Sequence, residues 1–450
     1  MTRPAQIAFS RKVEVRHEVD VFVAGGGPAG VAAAVTAARQ GKSVFLAEGQ
    51  GCFGGVGTSG GLPIFALLTD GVNFLAGGVG REVHDRLHKA GGLGPTPPPD
   101  RLEWTVYRIE TLKRVYDEMV GSSGASFSFM THVVGIEREA DRVTSAILWG
   151  KSGLFAVKAG VFVDCTGDGD LCAWAGADFE KGDPQGRMQP PTLCSLWTEI
   201  DWEAVNASGF GMWRQEEHLP RAFAEKIFTV EDPHLPGMFP AGPRTGRGNI
   251  GHAFGVDGTD ERSLTRGLVW SRKLMIEYER FYKTCLKGYE KMELASTAAV
   301  LGVRETRRIL GDYVLNVEDF RRRATFPDEI GRYAYPVDVH ASEPGEEGFR
   351  KLYEDYNSLR YGPGESYGIP YRCLTPRGLA NVLVAGRCIS ADRRIQGSIR
   401  VMPACFITGQ AAGLAAALAA EHRCDSRAID VSDLRGRLKS AGGYLPDPLS

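Results

Sequence analysis

The chain has 450 residues, 43% of them hydrophobic and 24% charged, the proportions of a soluble globular protein long enough for two or three domains or one large composite one. A formal net charge of −2 gives no reason to expect nucleic acid or an acidic membrane surface as a partner. Nine cysteines without a C-x-x-C pair fit a reducing cytoplasm better than a disulfide framework, and the first twenty residues lack the apolar core of a secretory leader.

The first predicted element is the run DVFVAGGGPAG, Asp20–Gly30, followed by an Ala-rich stretch and then SVFLAE ending at Glu48. It reads as strand, glycine turn, helix, second strand and an acid about 20 residues downstream, the pattern of a dinucleotide clamp. Gly25 permits the tight turn, Gly27 lets the backbone approach a pyrophosphate, and Gly30 allows close helix–strand packing. Pro28 and Ala29 open the helix whose N-terminus would hold the pyrophosphate, and Glu48 is placed to accept hydrogen bonds from a ribose.

Further along, Gly77–Gly91 predicts an amphipathic helix with Val79, Val83 and Leu87 on one face, and Glu110–Met119 another. A strand pair, Arg142–Trp149 and Gly153–Asp170, ends in a glycine–aspartate turn that contains Asp168, at a strand terminus where α/β sheets bind ligands. From about Gln189 to Tyr361 the strand–helix alternation gives way to frequent Trp, His, Pro and Arg, with one long helical stretch over Ser263–Met292. The sheet pattern returns in NVLVAG, Asn381–Gly386, and a helix follows from about Pro403 to His422. Its apolar stretch, Cys405–Ala420, is Ala-rich and interrupted by Thr408, Gly409 and Gln410, so it reads as a buried helix rather than a membrane span.

Several motifs imitate other chemistry. GRGNIG, Gly246–Gly251, matches G-x-G-x-x-G but follows no strand and precedes no helix, so it reads as a flexible loop. GTSGG, Gly57–Gly61, matches the hydrolase elbow without its strand–turn–helix context. His84 and His88 have zinc-pair spacing but no third ligand, and Asp164, Asp168 and Asp170 lack the closing glutamate of a calcium loop. Cys52 has no partner thiol at short spacing and reads as a bystander.

Four blocks together resemble the FAD-dependent oxidoreductase family with a glutathione-reductase-type FAD domain, in a branch distantly similar to fumarate reductase flavoproteins. They are the N-terminal unit through Gly49–Gly55 (GQGCFGG), Val163–Asp170, Leu301–Tyr313 (LGVRETRRILGDY), and Tyr367–Gly413. The resemblance implies an α/β fold: a Rossmann-like FAD-binding domain built from residues 1–185 and 361–450, with an inserted α+β substrate or cap domain over 186–360. It implies noncovalent FAD, held additionally by Gly49, Gly54, Gly55 and Asp168, with Gly386 and Arg387 near the pyrophosphate and ribityl chain. Val401 and Met402 would begin a helix aimed at the flavin's pyrimidine edge, where its dipole favours the charge of the reduced ring.

The implied function is hydride transfer between flavin N5 and a small organic substrate. The alternatives are a fumarate-reductase-like C–C desaturase or enoate reductase, and a flavin electron-transfer subunit that needs a partner protein. Arg400, just before the flavin-facing helix, is a candidate anchor for a carboxylate. Arg304 and Arg307 would share one face if RETRR is helical, within reach of substrate or of the acids Glu305 and Asp312. His252 is the candidate proton-transfer residue, and Tyr367 or Tyr371 would line the pocket or donate a proton. Where relatives are expected to carry a histidine after ISA-x, this chain has Arg393, which hints at an anionic substrate. A homodimer is the base-rate expectation.

Overall fold

The computed structural model describes residues 7, 9–94, 104–209 and 215–446. Its centre is a sheet in which the strand Glu14–Ala24 runs parallel to Val44–Ala47 on one side and to Gly153–Asp164 on the other. Ser126–Ser128 extends the sheet beyond Val44–Ala47, again parallel. The four residues Val21–Ala24 are fully buried and Val44–Ala47 nearly so. Val21 and Val23 enter one apolar cluster and Phe22 and Ala24 another, so both faces of the strand are buried and its apolar run is continuous rather than alternating.

Strand Gly153–Asp164 has two partners along its far edge. Its first half pairs antiparallel with Arg142–Gly150, which in turn pairs with His132–Glu139. Its last three residues, Phe162–Asp164, pair parallel with Val382–Val384 from the C-terminal part of the chain.

Two helices lie on this sheet, and small residues set how closely they pack. Pro28–Arg39 carries Ala29 and Ala33, and Met402–His422 carries Gly409 and Gly413. A Cβ at Gly409 would sit 2.2 Å from the Ala29 carbonyl oxygen, and one at Gly413 would sit 2.2 Å from that of Ala33. The backbones therefore touch, in a constant register, with the helices running in the same direction. That register starts the C-terminal helix six residues, or about 9 Å, ahead of the other. Met402–His422 is long and apolar enough to cross a membrane, but its whole apolar window is buried in the fold.

A separate antiparallel sheet has the order Gly237–Gly242, Thr245–Asn249, Ser195–Thr198, Glu293–Thr297. The helix Glu261–Cys285 packs beside it through Leu274, Met275, Tyr278, Phe281 and Tyr282. Asp260 caps that helix, accepting from the backbone N–H groups of Arg262 and Ser263. The helix stops seven residues before the expected Met292, because Leu286 turns extended and Gly288 takes a positive φ of 87°. GRGNIG is not a free loop: Thr245–Asn249 is a strand paired on both sides. RETRR is not helical either, since Arg307–Ile309 is a short strand paired with Phe179–Lys181.

The helix–helix contact generates a test. Gly413→Ala should lower the thermal midpoint, in keeping with an overpacking cost of about 1–3 kcal/mol. Gly121→Ala, in helix Ile109–Ser123 where a Cβ meets nothing within 4 Å, should hold or raise it. Equal midpoints for the two variants would show that the helices are not in backbone contact.

Candidate functional site

The Ala24–Pro28 turn runs from strand to helix with Gly25 at a φ of +91°. A Cβ on Gly30 would lie 1.7 Å from the Gly25 carbonyl oxygen, so that glycine is required by the turn itself. A Cβ on Gly27 would meet nothing within 4 Å, because this position opens onto a cavity of about 750 Å³. Neither Gly27, before the first helix, nor Val401, before the C-terminal one, caps its helix with a side-chain hydrogen bond. Two sets of N-terminal N–H groups thus face one cavity without a side-chain acceptor, an arrangement that suits anionic or electron-rich groups of a ligand.

The expected cofactor residues Gly25, Gly27, Pro28, Ala29, Glu48, Gly49, Gly55, Asp168, Gly386, Arg387, Val401 and Met402 all line this cavity. Gly30 and Gly54 stand behind it, and Gly54 donates its N–H to the Gly26 carbonyl at 2.8 Å. Glu48 accepts from the backbone N–H of Gly26 and of Gln50, both at 2.6 Å. Burial raises its carboxyl pKa against those two donors. Arg387 pairs with Asp168 at 2.7 Å and also donates to the Val303 carbonyl, while Thr306 donates to Asp168 at 2.7 Å.

The cavity continues to a buried group of charged and imidazole side chains supplied by loops. His252 follows the strand Thr245–Asn249, Asp232 and His234 precede Gly237–Gly242, and Asp338 and His340 follow Glu329–Tyr333. His252 Nε2 is 3.0 Å from His340 Nδ1, and its Nδ1 is 2.9 Å from Asp232. The latter contact is close but misaligned: Asp232 Oδ2 is among the buried polar atoms without a hydrogen-bond partner. The His234 ring stacks on that of His252, with centroids 5.2 Å apart. His340 Nε2 lies 3.5 Å from Asp338, which also takes Arg400 at 3.1 Å.

Burial, followed by His252, lowers the His234 pKa to about 3. Burial and then Arg304 hold His340 well below its usual value. Burial pushes the Asp338 carboxyl up, but His340 and Arg400 outweigh it and keep the group ionised. Burial and Arg400 bring Arg304 down to about 10.

Three of the four candidate catalytic residues, His252, Arg304 and Arg400, therefore meet in one place, and Tyr367 does not. The Tyr367 side chain is fully buried and shares a hydrogen bond of 2.8 Å with Ser398, away from the cavity lining. Tyr371 likewise donates to the Ser426 carbonyl. Arg307 is diverted to Asp170 at 2.7 Å. Arg393 pairs with buried Glu305, which also holds Arg308, so its charge is spent inside the protein. Sequence reasoning missed His234, His340, Asp232 and Asp338. The signal was a repeated Asp-x-His, in Asp232–His234 and Asp338–His340.

A parallel sheet, a glycine turn closed by an acid, and a cavity shared by two helix N-termini define a dinucleotide-binding α/β protein. The chain belongs to the FAD dependent oxidoreductase family, whose model matches residues 20–438, and it is an enzyme with FAD as its cofactor. No curated protein matches the chain in sequence. Among solved structures it is similar to a geranylgeranyl bacteriochlorophyll reductase-like protein from Thermoplasma acidophilum, at 12% identity over 95% of this chain and 84% of that one, with a TM-score of 0.43. It is also similar to p-nitrophenol 4-monooxygenase PnpA from Pseudomonas putida, at 11% identity over 94% and 81% of the two chains, TM-score 0.44. The family assignment rests on the match over 20–438 alone.

The two glycines of the turn should separate binding from folding. Gly27→Val puts its side chain into the cavity, so the protein should fold yet purify with only a small fraction of its FAD. Gly30→Val strikes the Gly25 carbonyl and should lower the thermal midpoint. Flavin absorbance per chain and the melting curve check both, and full FAD content in Gly27→Val would contradict the assignment of the turn.

Proposed function

We propose that the enzyme transfers a hydride between its flavin and a small, anionic organic molecule that sits between Arg304, Arg400 and the imidazoles. In this reading residues 1–185 and 361–450 build the FAD-binding domain and 186–360 the substrate cap. The pairing of Val382–Val384 with Phe162–Asp164, and the separate antiparallel sheet drawn from residues 195–297, support that division.

One observation carries the substrate class: two buried guanidiniums whose donors are not all satisfied within the protein. Arg304 gives Nη1 to the Pro190 carbonyl at 2.7 Å and to Thr192 at 2.9 Å, but its Nη2 has only Asn249, at 3.5 Å. Arg400 is held through Nη2 by Asp338, while its Nε is buried without a partner. Buried polar groups are ordinarily satisfied, so guanidiniums that line a cavity with donors left over call for an anion. Both arginines line the cavity that the Met402 helix faces.

FAD, when bound, supplies the hydride acceptor or donor at N5 of its ring system. It would be held by the glycine turn, Glu48, Arg387 and the N-terminus of the Met402 helix. The chain's own residues do the rest. Arg304 and Arg400 orient the substrate's anionic group. The imidazole cluster around His252, backed by Asp232, takes up the proton that leaves the substrate. Trp104, Tyr335 and Tyr356 on the cavity wall exclude water.

The protein should purify yellow, release FAD on denaturation, and bleach anaerobically with one member of a panel of hydroxy acids, amines and saturated carboxylates. For that donor, Arg400→Met should raise KM about 10- to 100-fold, the worth of a buried charge-assisted hydrogen bond, with FAD content unchanged. A flavin that bleaches only when a partner protein is added would overturn the self-contained reading in favour of an electron-transfer subunit.

A further inference from the structure

His234, His252 and His340 each bring one ring nitrogen to within 4.8 Å of the other two. They come from three separate loops, 18 and 88 residues apart along the chain, so local sequence does not force them together. All three line the cavity. A proton shared between His252 Nε2 and His340 Nδ1 satisfies those two rings and leaves the third out: His234 Nε2 is buried with no hydrogen-bond partner. Orphaned buried polar atoms are rare, and each asks for an explanation.

We infer that the three histidines form a binding site for one divalent first-row transition-metal ion, with an open position toward the cavity. Imidazole is a ligand of zinc, iron, copper and nickel, and three imidazoles with an open fourth place are the donor set of a catalytic rather than a structural centre. Tetrahedral ligation at 2.0–2.1 Å sets the nitrogens about 3.3 Å apart. The observed 3.0 Å between His252 and His340 is close to that, and the 4.8 Å envelope closes to it with an inward shift of the third ring of up to about 1.5 Å.

The surroundings have the form expected of such a centre. A metal-ligating histidine commonly directs its other nitrogen to a carboxylate, which fixes the ring and strengthens the donor. Asp232 stands 2.9 Å from His252 Nδ1, and Asp338 stands 3.5 Å from His340 Nε2. In each ring the nitrogen facing a carboxylate is the one that does not face the other histidine. Arg304 and Arg400 offset the two carboxylates, so an ion would leave the site with net positive charge and a preference for an anionic oxygen ligand. That preference matches the substrate class proposed above and rests on it. The existence of the site does not. With an ion bound, the imidazoles act as ligands, the ion polarises a substrate oxygen, and the proton that leaves the substrate passes to water in the cavity instead of to a ring.

The test uses the FAD-loaded enzyme, stripped with a chelator and dialysed against Zn²⁺. Elemental analysis should return about one ion per chain, and zinc K-edge absorption should show three nitrogen neighbours at about 2.0–2.1 Å. His234→Gln and His340→Gln should each cut the ion content about tenfold or more, given the loss of one of three ligands, while FAD per chain stays constant. The proposal is overturned if the folded, yellow wild type holds less than about a tenth of an ion per chain. It also fails if the variants bind as much as the wild type, or if the zinc shell is oxygen or sulfur without nitrogen. These readouts need no turnover, so an enzyme that binds no ion but is bleached by an anionic donor keeps the redox reading and loses only the metal.

Discussion

Much of the molecule depends on one contact, the backbone-to-backbone packing of Gly409 and Gly413 against Ala29 and Ala33. Helices normally pack 8–10 Å apart because side chains interdigitate between them, and glycine at two successive turns removes that spacer. The result is to hold two helix N-termini side by side with a fixed stagger of about 9 Å. One lies at the glycine turn after Glu14–Ala24, and the other reaches further into the cavity. An extended ligand with an anionic centre and a distant ring that becomes electron-rich finds complementary partial charge at both places.

The polar interior forms a second framework around that contact. Glu305 has no exposed side-chain surface, yet it receives Arg308 and Arg393 and the backbone N–H of Gln189. Gln189 in turn accepts the His340 backbone N–H and donates to Gln396, which donates to the Arg304 carbonyl. The chain of bonds runs from a buried ion pair to the backbones of His340 and Arg304, two residues whose side chains line the cavity. Such a network is costly when half-satisfied and rigid when complete. It fixes loops that have no regular secondary structure to position them.

Sequence and structure agree where the information is local. The Asp20–Glu48 unit was legible because turn, helix and strand follow one another within thirty residues, and each glycine has its own steric reason. The helix around Pro403 was equally plain. What joins the two ends was not, because nothing in an Ala-rich run states which other helix it will touch. The same limit explains Tyr367 and Arg393: both carry plausible chemistry, but long-range partners, Ser398 and Glu305, turn them inward. His252 looked like an isolated loop histidine, and its companions lie 18 and 88 residues away. Arg304 and Arg307 would share a face only on a helix, and a non-helical backbone sends one to the cavity and the other to Asp170.

The divided edge of strand Gly153–Asp164 bears on the order in which the chain is made. Its first half is covered as soon as the adjacent hairpin exists, but Phe162–Asp164 must wait for Val382–Val384. At ribosomal speeds that is an interval of about 10–40 s. During it the unpaired strand end Phe162–Asp164 and the uncovered face of the Pro28–Arg39 helix remain open to wrong pairing. FAD cannot find a finished site until Gly386, Arg387, Val401 and Met402 have arrived. The nascent chain thus carries an unpaired strand end and an unfinished cofactor site through an interval that the compactness of the completed fold conceals.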